Sequence, residues 1–478
     1  MRRLVPGLCL ALAAVATSCA RPRPEAPGYT PAWQNVRERA APPPGADAPD
    51  PGPLSLDDCV RIALENNRRV RIADRRILVA RDRIDEAYAG LAPKLSASGR
   101  FEHRSNRYGF DFGEMAFAID QRDTASFQAG VLVPIYDFGQ TYNRIEGELR
   151  RGEAAVEQAE KARQDLVLDV ARAYYRVLEA RKIQAVVDES IQVLASQLAI
   201  ARDFHRVGMT AKNDLLAVAV QYALRHLDRI QAVNNVHLAE STLARVMGLD
   251  VTRPPRIVDV ADADPHGVSL DAAMRVAIAR RPELIALRRE VEGARADSRA
   301  AAAGWLPRID AFGGYNYSAD SLLVNPDWWS GGFTVQFPFF DGGATIARAS
   351  QAARRVDEMI DLQEDRSNDI LLEVKTAWLA DRAALEKIPV GRLGILLGEE
   401  SLRMMRDQYR EGLATSAEVL AEEERLSQAR VELARAYYNC RVARSVLVHA
   451  VGGTLPPPDA NSGTPAIPSI DDLLNPTK

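Results

Sequence analysis

The side chains that could do chemistry are few. The chain has 478 residues, four of them cysteine and six histidine. Cys19 stands directly behind Ala16-Thr17-Ser18, small residues that resemble a bacterial lipobox, in which the thiol takes lipid and the cysteine becomes the first residue of the mature chain. The other reading is ordinary signal cleavage after Ala20, with Ser18 and Ala20 as the small pair. Cys9 leaves with the signal, and Cys59 and Cys440 sit in helical patterns as small apolar residues, so there is no disulfide framework. His103, His205, His226, His237, His266 and His449 lack metal-ligand spacing, and no phosphate loop or activated Ser or Cys nucleophile is recognisable. The expectation is a protein that is not an enzyme and holds no metal or cofactor. A net charge of -4 argues against a general nucleic-acid binder.

The prolines divide the chain. Of the 27, a cluster lies before Leu54, a second at Pro254, Pro255 and Pro265, and a third from Pro456 onward. Arg2 and Arg3 followed by an apolar run from Leu4 to Ala16 predict a signal peptide over 1–18. Residues 19–53, rich in Pro, Ala and Asp, cannot bury enough surface to fold and should form an extended tether. Residues 250–267 should be a linker and 454–478 a Pro-rich tail.

Between these lie two copies of one unit. Leu54-Ser-Leu-Asp-Asp matches Val268-Ser-Leu-Asp-Ala, and Gly90-Leu-Ala-Pro93 matches Gly304-Trp-Leu-Pro307, both at an offset of 214. Val133-Pro-Ile-Tyr-Asp-Phe-Gly139 matches Phe337-Pro-Phe-Phe-Asp-Gly-Gly343, and Met247-Gly248 matches Val451-Gly452, now at an offset of 204. The expected repeats are 54–249 and 268–453, and their whole length difference falls between the paired prolines, as a surface loop permits.

Each repeat should hold a helix, a β-hairpin (95–136 and 309–340) and a long helical hairpin (138–248 and 342–452). Leu95, Ala97, Gly99 and Phe101 alternate with polar residues, as do Phe127 to Ile135, Ile309 to Tyr317 and Phe333 to Phe339, the period of a strand with one apolar and one wet face. Asp137 and Asp341 stand where a strand gives way to a helix and suit its N-terminus. Val187, Ile191, Leu194, Leu198 and Ala201 keep coiled-coil spacing, and Leu216, Val220, Ala223, Leu227 and Ile230 repeat it after Gly208. A helix of roughly 70 residues is about 100 Å long. In the second repeat Pro389, with Gly391, Gly394 and Gly398, should bend or interrupt it.

No apolar run after the signal is long enough for a membrane-spanning helix. Four strands cannot close a barrel, and open edges are not tolerated in lipid, so strands that enter a membrane must be pooled among copies. Three copies give about twelve strands, within the observed range for barrels.

The Ser-Leu starts at Ser55 and Ser269, the Gly-x-x-Pro before each hairpin, the Pro-x-x-Asp-x-Gly exits at Pro134 and Pro338 and the turns at Gly208 and Gly412 together resemble the TolC-like outer membrane efflux proteins. Cys19 and its tether are similar to the lipid-anchored branch that serves resistance-nodulation-division pumps. The resemblance implies a mainly α fold with a small β part: duplicated long α-hairpin coiled coils form a trimeric α-barrel, and four strands per protomer join a shared 12-stranded transmembrane β-barrel. The partners it implies are two further copies, outer-membrane lipid, a periplasmic adaptor and an inner-membrane pump, with the protein as a passive exit duct. The rivals are a duct for type I protein secretion and a non-conducting envelope scaffold.

The resemblance also assigns residues. The turns would meet the adaptor through Val207, Gly208, Met209, Thr210, Gly412, Leu413 and Thr415. Asp214 and Glu418, 204 residues apart, would line the periplasmic constriction with Glu422 one turn on, a ring of carboxylates that favours cations. Tyr409 matches the tyrosine of the family's gate latch, but Ala414 stands where its arginine would be.

Overall fold

The computed structural model describes residues 52–105, 109–111, 113, 116–118, 122–259, 267–319 and 325–456. The expected signal peptide, Cys19, nearly all of the tether, part of the linker and the tail from 457 lie outside the described residues. In chain order the elements are α1 (Leu56–Asn66), α2 (Arg68–Ala89), β1 (Lys94–His103), β2 (Gly109–Asp111), β3 (Ala116–Ala118), β4 (Asp123–Tyr136), α3 (Gln140–Arg206) and α4 (Lys212–Met247). The second series is α5 (Leu270–Arg280), α6 (Pro282–Ala302), β5 (Arg308–Ser318), β6 (Asp327–Gln336), α7 (Ala344–Arg410) and α8 (Ser416–Val451). Two compact units result, one containing Arg76–Val156 and Ala286–Gln363, the other 52–75, 157–285 and 364–456.

The first unit carries an antiparallel sheet of order β1-β4-β5-β6, so β4 and β5, one from each hairpin, pair at its centre. Directly opposed residues share a face. One face therefore runs from Leu95, Ala97 and Phe101 through Phe127, Ala129 and Val131 to Ala311 and Tyr315, and ends on Trp329, Phe333 and Val335. The other face carries Ser96, Ser98, Arg100, Thr124, Gln128, Asn316, Ser330 and Thr334. The apolar face has little cover within the chain: Phe101 and Phe333 are about three-quarters exposed, at 73% and 75%. β1 and β6 each leave one edge unpaired among the described strands.

Three sequence expectations need adjustment here. The four expected strands form the sheet, but the first hairpin's long connection holds a further, separate antiparallel pair, β2 with β3. In the second hairpin β6 starts at Asp327 and stops at Gln336, leaving Phe337 and Phe339 outside it. Pro338 has no N–H for the ladder, and the Phe339 amide turns back to the Phe337 carbonyl at 3.0 Å. In β4 the register slips between Pro134 and Tyr136, a bulge at the residue that cannot donate. Beyond the strands the chain reverses through positive φ at Phe138 and Gly139, and at Gly342 and Gly343. Asp137 then accepts from the Thr141 amide (2.7 Å) and Asp341 from that of Thr345 (2.9 Å), closing the first turns of α3 and α7.

In the second unit the two repeats solve the same joint with different residues. Between α1 and α2, Asn67 donates its side-chain amide to the Val246 carbonyl near the end of α4 (2.7 Å). Between α5 and α6, the buried Arg281 donates to the His449 and Ala450 carbonyls at the end of α8, and pairs with Glu283 and Glu373. Each satisfies orphan carbonyls of a helix C-terminus. The helices end on Gly248 and Gly452 in the left-handed conformation, against the chain at Asn66 and Arg280. Likewise the Tyr174 hydroxyl donates to the Val258 carbonyl at 2.5 Å, and Trp378, 204 residues on, donates its indole N–H to that of Val268 at 2.7 Å. Cys59 and Cys440 are both buried, Cys59 within an apolar cluster, and burial pushes the Cys59 thiol up to about 12.

The long helices of this unit are apolar on two opposite sides. The α3 seam is buried at Val187, Leu194, Leu198 and Ala201. On α4, however, the buried positions include Val218, Ala232, Val236, Ala239 and Leu243, whereas Leu216, Val220, Leu227 and Ile230, from the seam read from the sequence, are exposed. At 100° per residue Val218 and Leu227 lie 180° apart. α7 behaves alike, burying Ile370, Val374 and Ala377 while exposing Leu372 and Leu379. Of the bend or interruption expected at Pro389, the interruption does not occur: α7 continues unbroken through it. Gly391 and Gly398 bring the α7 backbone against Leu433 and Leu426 of α8, so they serve close packing rather than a break.

Two glycines separate the sources of this stability. A Cβ at Gly208 would meet nothing within 4 Å, whereas one at Gly248 would come 2.8 Å from the Asn66 carbonyl oxygen. Gly208→Ala should cost only the left-handed backbone term, roughly 1–2 kcal/mol. Gly248→Ala adds a backbone clash, so its thermal unfolding midpoint should fall further than that of Gly208→Ala.

Candidate functional site

The residues assigned from the sequence gather at the α3–α4 and α7–α8 turns, both in the second unit. The turns are built alike. The Gly208 amide bonds the His205 carbonyl (3.1 Å) and that of Met209 the Phe204 carbonyl (2.9 Å); Gly412 and Leu413 repeat this on Tyr409 and Gln408 at 3.1 and 2.8 Å. Both glycines have φ of 76°. This is a Schellman reversal, which requires a left-handed residue and satisfies the last carbonyls of the incoming helix. The residues beside each glycine are thrust outward: Val207 is 68%, Met209 66% and Leu413 76% exposed.

The returning helices differ. Ala211 begins α4 with no side-chain cap. Thr415 begins α8 with a full capping box, in which its hydroxyl accepts from the Glu418 amide (3.3 Å) and the Glu418 carboxylate accepts from the Thr415 amide (2.7 Å) and hydroxyl (2.9 Å). Those bonds hold the Glu418 carboxyl below its usual range. Of the matched acids, Glu418 is thus engaged in its own helix start, whereas Asp214 has no such duty. Asp214 is half-buried and lies near Tyr409, whose phenol is pushed up by burial first and by that carboxylate second. The Tyr409 ring stands 5.8 Å from that of Phe204, joining the two hairpins by an aromatic contact.

Glu422 accepts from the Ser401 hydroxyl (3.1 Å) and pairs with Arg425. The next two acids bind charges the sequence did not single out. Glu423, buried and raised by that burial, meets Arg406 at 3.1 Å, and Glu424 pairs with the buried Arg225 of α4. Nearly two turns further along α8, Arg430 bridges Glu189 of α3 (2.8 Å) and Glu399 of α7 (2.9 Å). The run Glu422-Glu423-Glu424 was the only available signal, and Arg406 and Arg225, the partners of Glu423 and Glu424, are remote in sequence. Leu420 also crosses, packing with Leu198, Ala201 and Val218 of the other hairpin. The tips of the hairpins are therefore tied together by ion pairs and rings. Among the described residues there is no cluster of His, Cys, Asp or Glu fit to hold a metal.

The described helices include none long and apolar enough to cross a membrane. Long paired helical hairpins joined to a small sheet of alternating polarity define an outer-membrane channel fold. The family model described as "Outer membrane efflux protein" matches residues 59–249 and 273–453, and the chain belongs to that family, one of channels rather than enzymes. It is 23% identical over 393 residues to the outer membrane efflux protein BepC of Brucella suis, covering 80% of each chain. It is 22% identical over 406 residues to the alkaline protease secretion protein AprF of Pseudomonas aeruginosa, covering 81% of this chain and 82% of AprF. With the cation efflux system protein CusC of Escherichia coli O157:H7 it shares 23% identity over 407 residues, 82% of this chain and 84% of CusC. A crystal structure of CusC superposes with a TM-score of 0.73 at 20% identity, covering 87% of this chain and 97% of that one. The protein is accordingly an outer-membrane protein with a helical periplasmic portion.

The asymmetry of the turns is testable by amide exchange. Thr415→Ala removes a cap worth about 1 kcal/mol, so exchange at the start of α8 should rise roughly fivefold while that of α4 stays unchanged. The Glu418 pKa is depressed in the fold, so the contribution of this cap is present at neutral pH and is lost as pH falls through that lowered value. Exchange at α8 in the native chain should therefore approach that of Thr415→Ala on acidification.

Proposed function

We propose that three copies of the chain form one exit duct, a 12-stranded barrel in the outer membrane continued by a helical tube in the periplasm, which passively conducts substrates delivered by an adaptor and an inner-membrane pump. The observation that carries this reading is the open-edged sheet with one continuous apolar face. Within lipid such a sheet is stable only when each edge pairs with another copy. The exposed seams of α4, from Leu216 to Ile230, and of α7 suit the same arrangement, since a helix apolar on two opposite sides needs a neighbour on each.

In this reading Val207, Gly208, Met209, Thr210, Gly412, Leu413 and Thr415 form the adaptor-contacting tips. Cys19 carries the lipid and residues 19–53 the tether. The pump is of the resistance-nodulation-division type, in line with the lipid-anchored branch. The likeness to AprF favours a second reading, a duct for protein secretion, which an adaptor recovered by affinity pull-down would separate from the first. A non-conducting scaffold would have no use for alternating strands.

Asp214, with Glu418 and Glu422, lines the constriction. Ala414 removes the familiar basic partner of Tyr409. The ion pairs of Arg225 with Glu424 and Arg430 with Glu189 then supply the hold between hairpins. The paired variant Asp214→Ala, Glu418→Gln removes the charges while Gln preserves the capping geometry. In planar bilayers it should show higher single-channel conductance and weaker block by divalent cations than the native channel. Unchanged currents and unchanged block would remove these acids from the constriction.

A further inference from the structure

Beside the joint where α8 ends, the second unit holds a groove of about 640 Å³ between α3, α4 and α8. Its wall is apolar, with Tyr175, Leu238, Val246 and Val442, and Leu238 is 68% exposed. Its rim is basic, with Arg172, Arg176, Arg245 and Arg435. The rim charges are not equivalent. Arg176 is taken by Glu179 and Arg435 by Glu432, and the rim acid Asp169 is taken by Arg69. Among the described residues Arg172 and Arg245 have no carboxylate partner. The groove thus offers two free guanidinium groups over an apolar wall, a surface complementary to a short segment with adjacent acids and flanking aliphatics.

The chain contains one such segment close at hand. Ile470-Asp-Asp-Leu-Leu474 places two neighbouring carboxylates between aliphatic residues, and it lies outside the described structure. The path to it starts beside the groove. After α8 the chain passes Gly453, next to Gln164 of α3, and Thr454, which accepts from Arg280 at 2.7 Å. Arg172 lies two turns along α3 from Gln164, about 12 Å at 1.5 Å per residue. The residues between Pro456 and Ile470 reach at most roughly 45 Å when extended, several times the distance needed.

We propose that Ile470–Leu474 docks into this groove of its own protomer, with Asp471 and Asp472 on Arg172 and Arg245 and the aliphatic side chains against the Leu238 and Val442 wall. Charge-assisted contacts to guanidinium groups supply the specificity and the aliphatic burial supplies most of the affinity. The short linker makes the contact effectively intramolecular, so it needs little intrinsic strength.

The test uses the assembled protein in detergent with Leu238→Cys as the reporter, since Cys59 and Cys440 are buried. Maleimide labelling of Cys at 238 should be at least tenfold slower in the full chain than in a chain stopped after Pro456. Asp471→Lys with Asp472→Lys should label as fast as the shortened chain, and adding Arg172→Glu with Arg245→Glu should restore slow labelling. A second variant pair, Leu238→Cys with Leu474→Cys, should oxidise to a species of monomer size on a denaturing gel. Fast labelling in both full and shortened chains would mean an open groove, and slow labelling in both would mean cover by something other than this segment. Either result, or a cross-link only between protomers, overturns the proposal.

Discussion

The demand that every backbone hydrogen bond be satisfied in lipid governs this molecule. β1 and β6 are edge strands of ten residues each, so roughly ten N–H and C=O groups in all face outward from each end of the sheet or its neighbour. At several kcal/mol for each group left bare in hydrocarbon, two open edges would outweigh the 5–15 kcal/mol by which a domain is ordinarily stable. The protomer is therefore an incomplete object. Its apolar outer face, the long helices with seams on opposite sides and the exposed tips make sense as parts of a larger closed surface.

The same incompleteness explains how the helical hairpins are built. A helix in a tube has a neighbour on each flank, so α4 buries Val218 and Leu243 on one side while Leu216 and Leu227 stay exposed on the other. Ion pairs to a buried arginine, such as that of Arg225 with Glu424, fix which helix sits against which. Pairs of this kind confer little net stability, but losing one partner leaves a buried charge at a cost of several kcal/mol.

Much of this was legible in the sequence because it rests on local rules. Strand alternation marked the two faces of the sheet, Gly208 and Gly412 marked the reversals, and Asp137 and Asp341 marked the starts of the long helices. What was not legible depends on which neighbour a residue meets. The α4 seam has correct spacing, yet spacing cannot say whether the matching helix belongs to the same chain. Pro389 looked like an interruption because the lost hydrogen bond is local, whereas the packing of Gly391 and Gly398 on α8 that accompanies an unbroken helix is not. Glu418 was legible as an acid matched to Asp214, whereas its engagement with Thr415 shows only in the geometry.

The account stands or falls on whether the sheet edges meet between chains. Single cysteines on the polar face of β1, at Ser96, Ser98 or Arg100, can each be combined with Ser330→Cys on β6 and oxidised in intact outer membranes. The account predicts that at least one combination gives covalent dimers and trimers, with no larger species, and that each single variant gives neither. Only monomers from every combination, in protein that is folded and inserted, would contradict it.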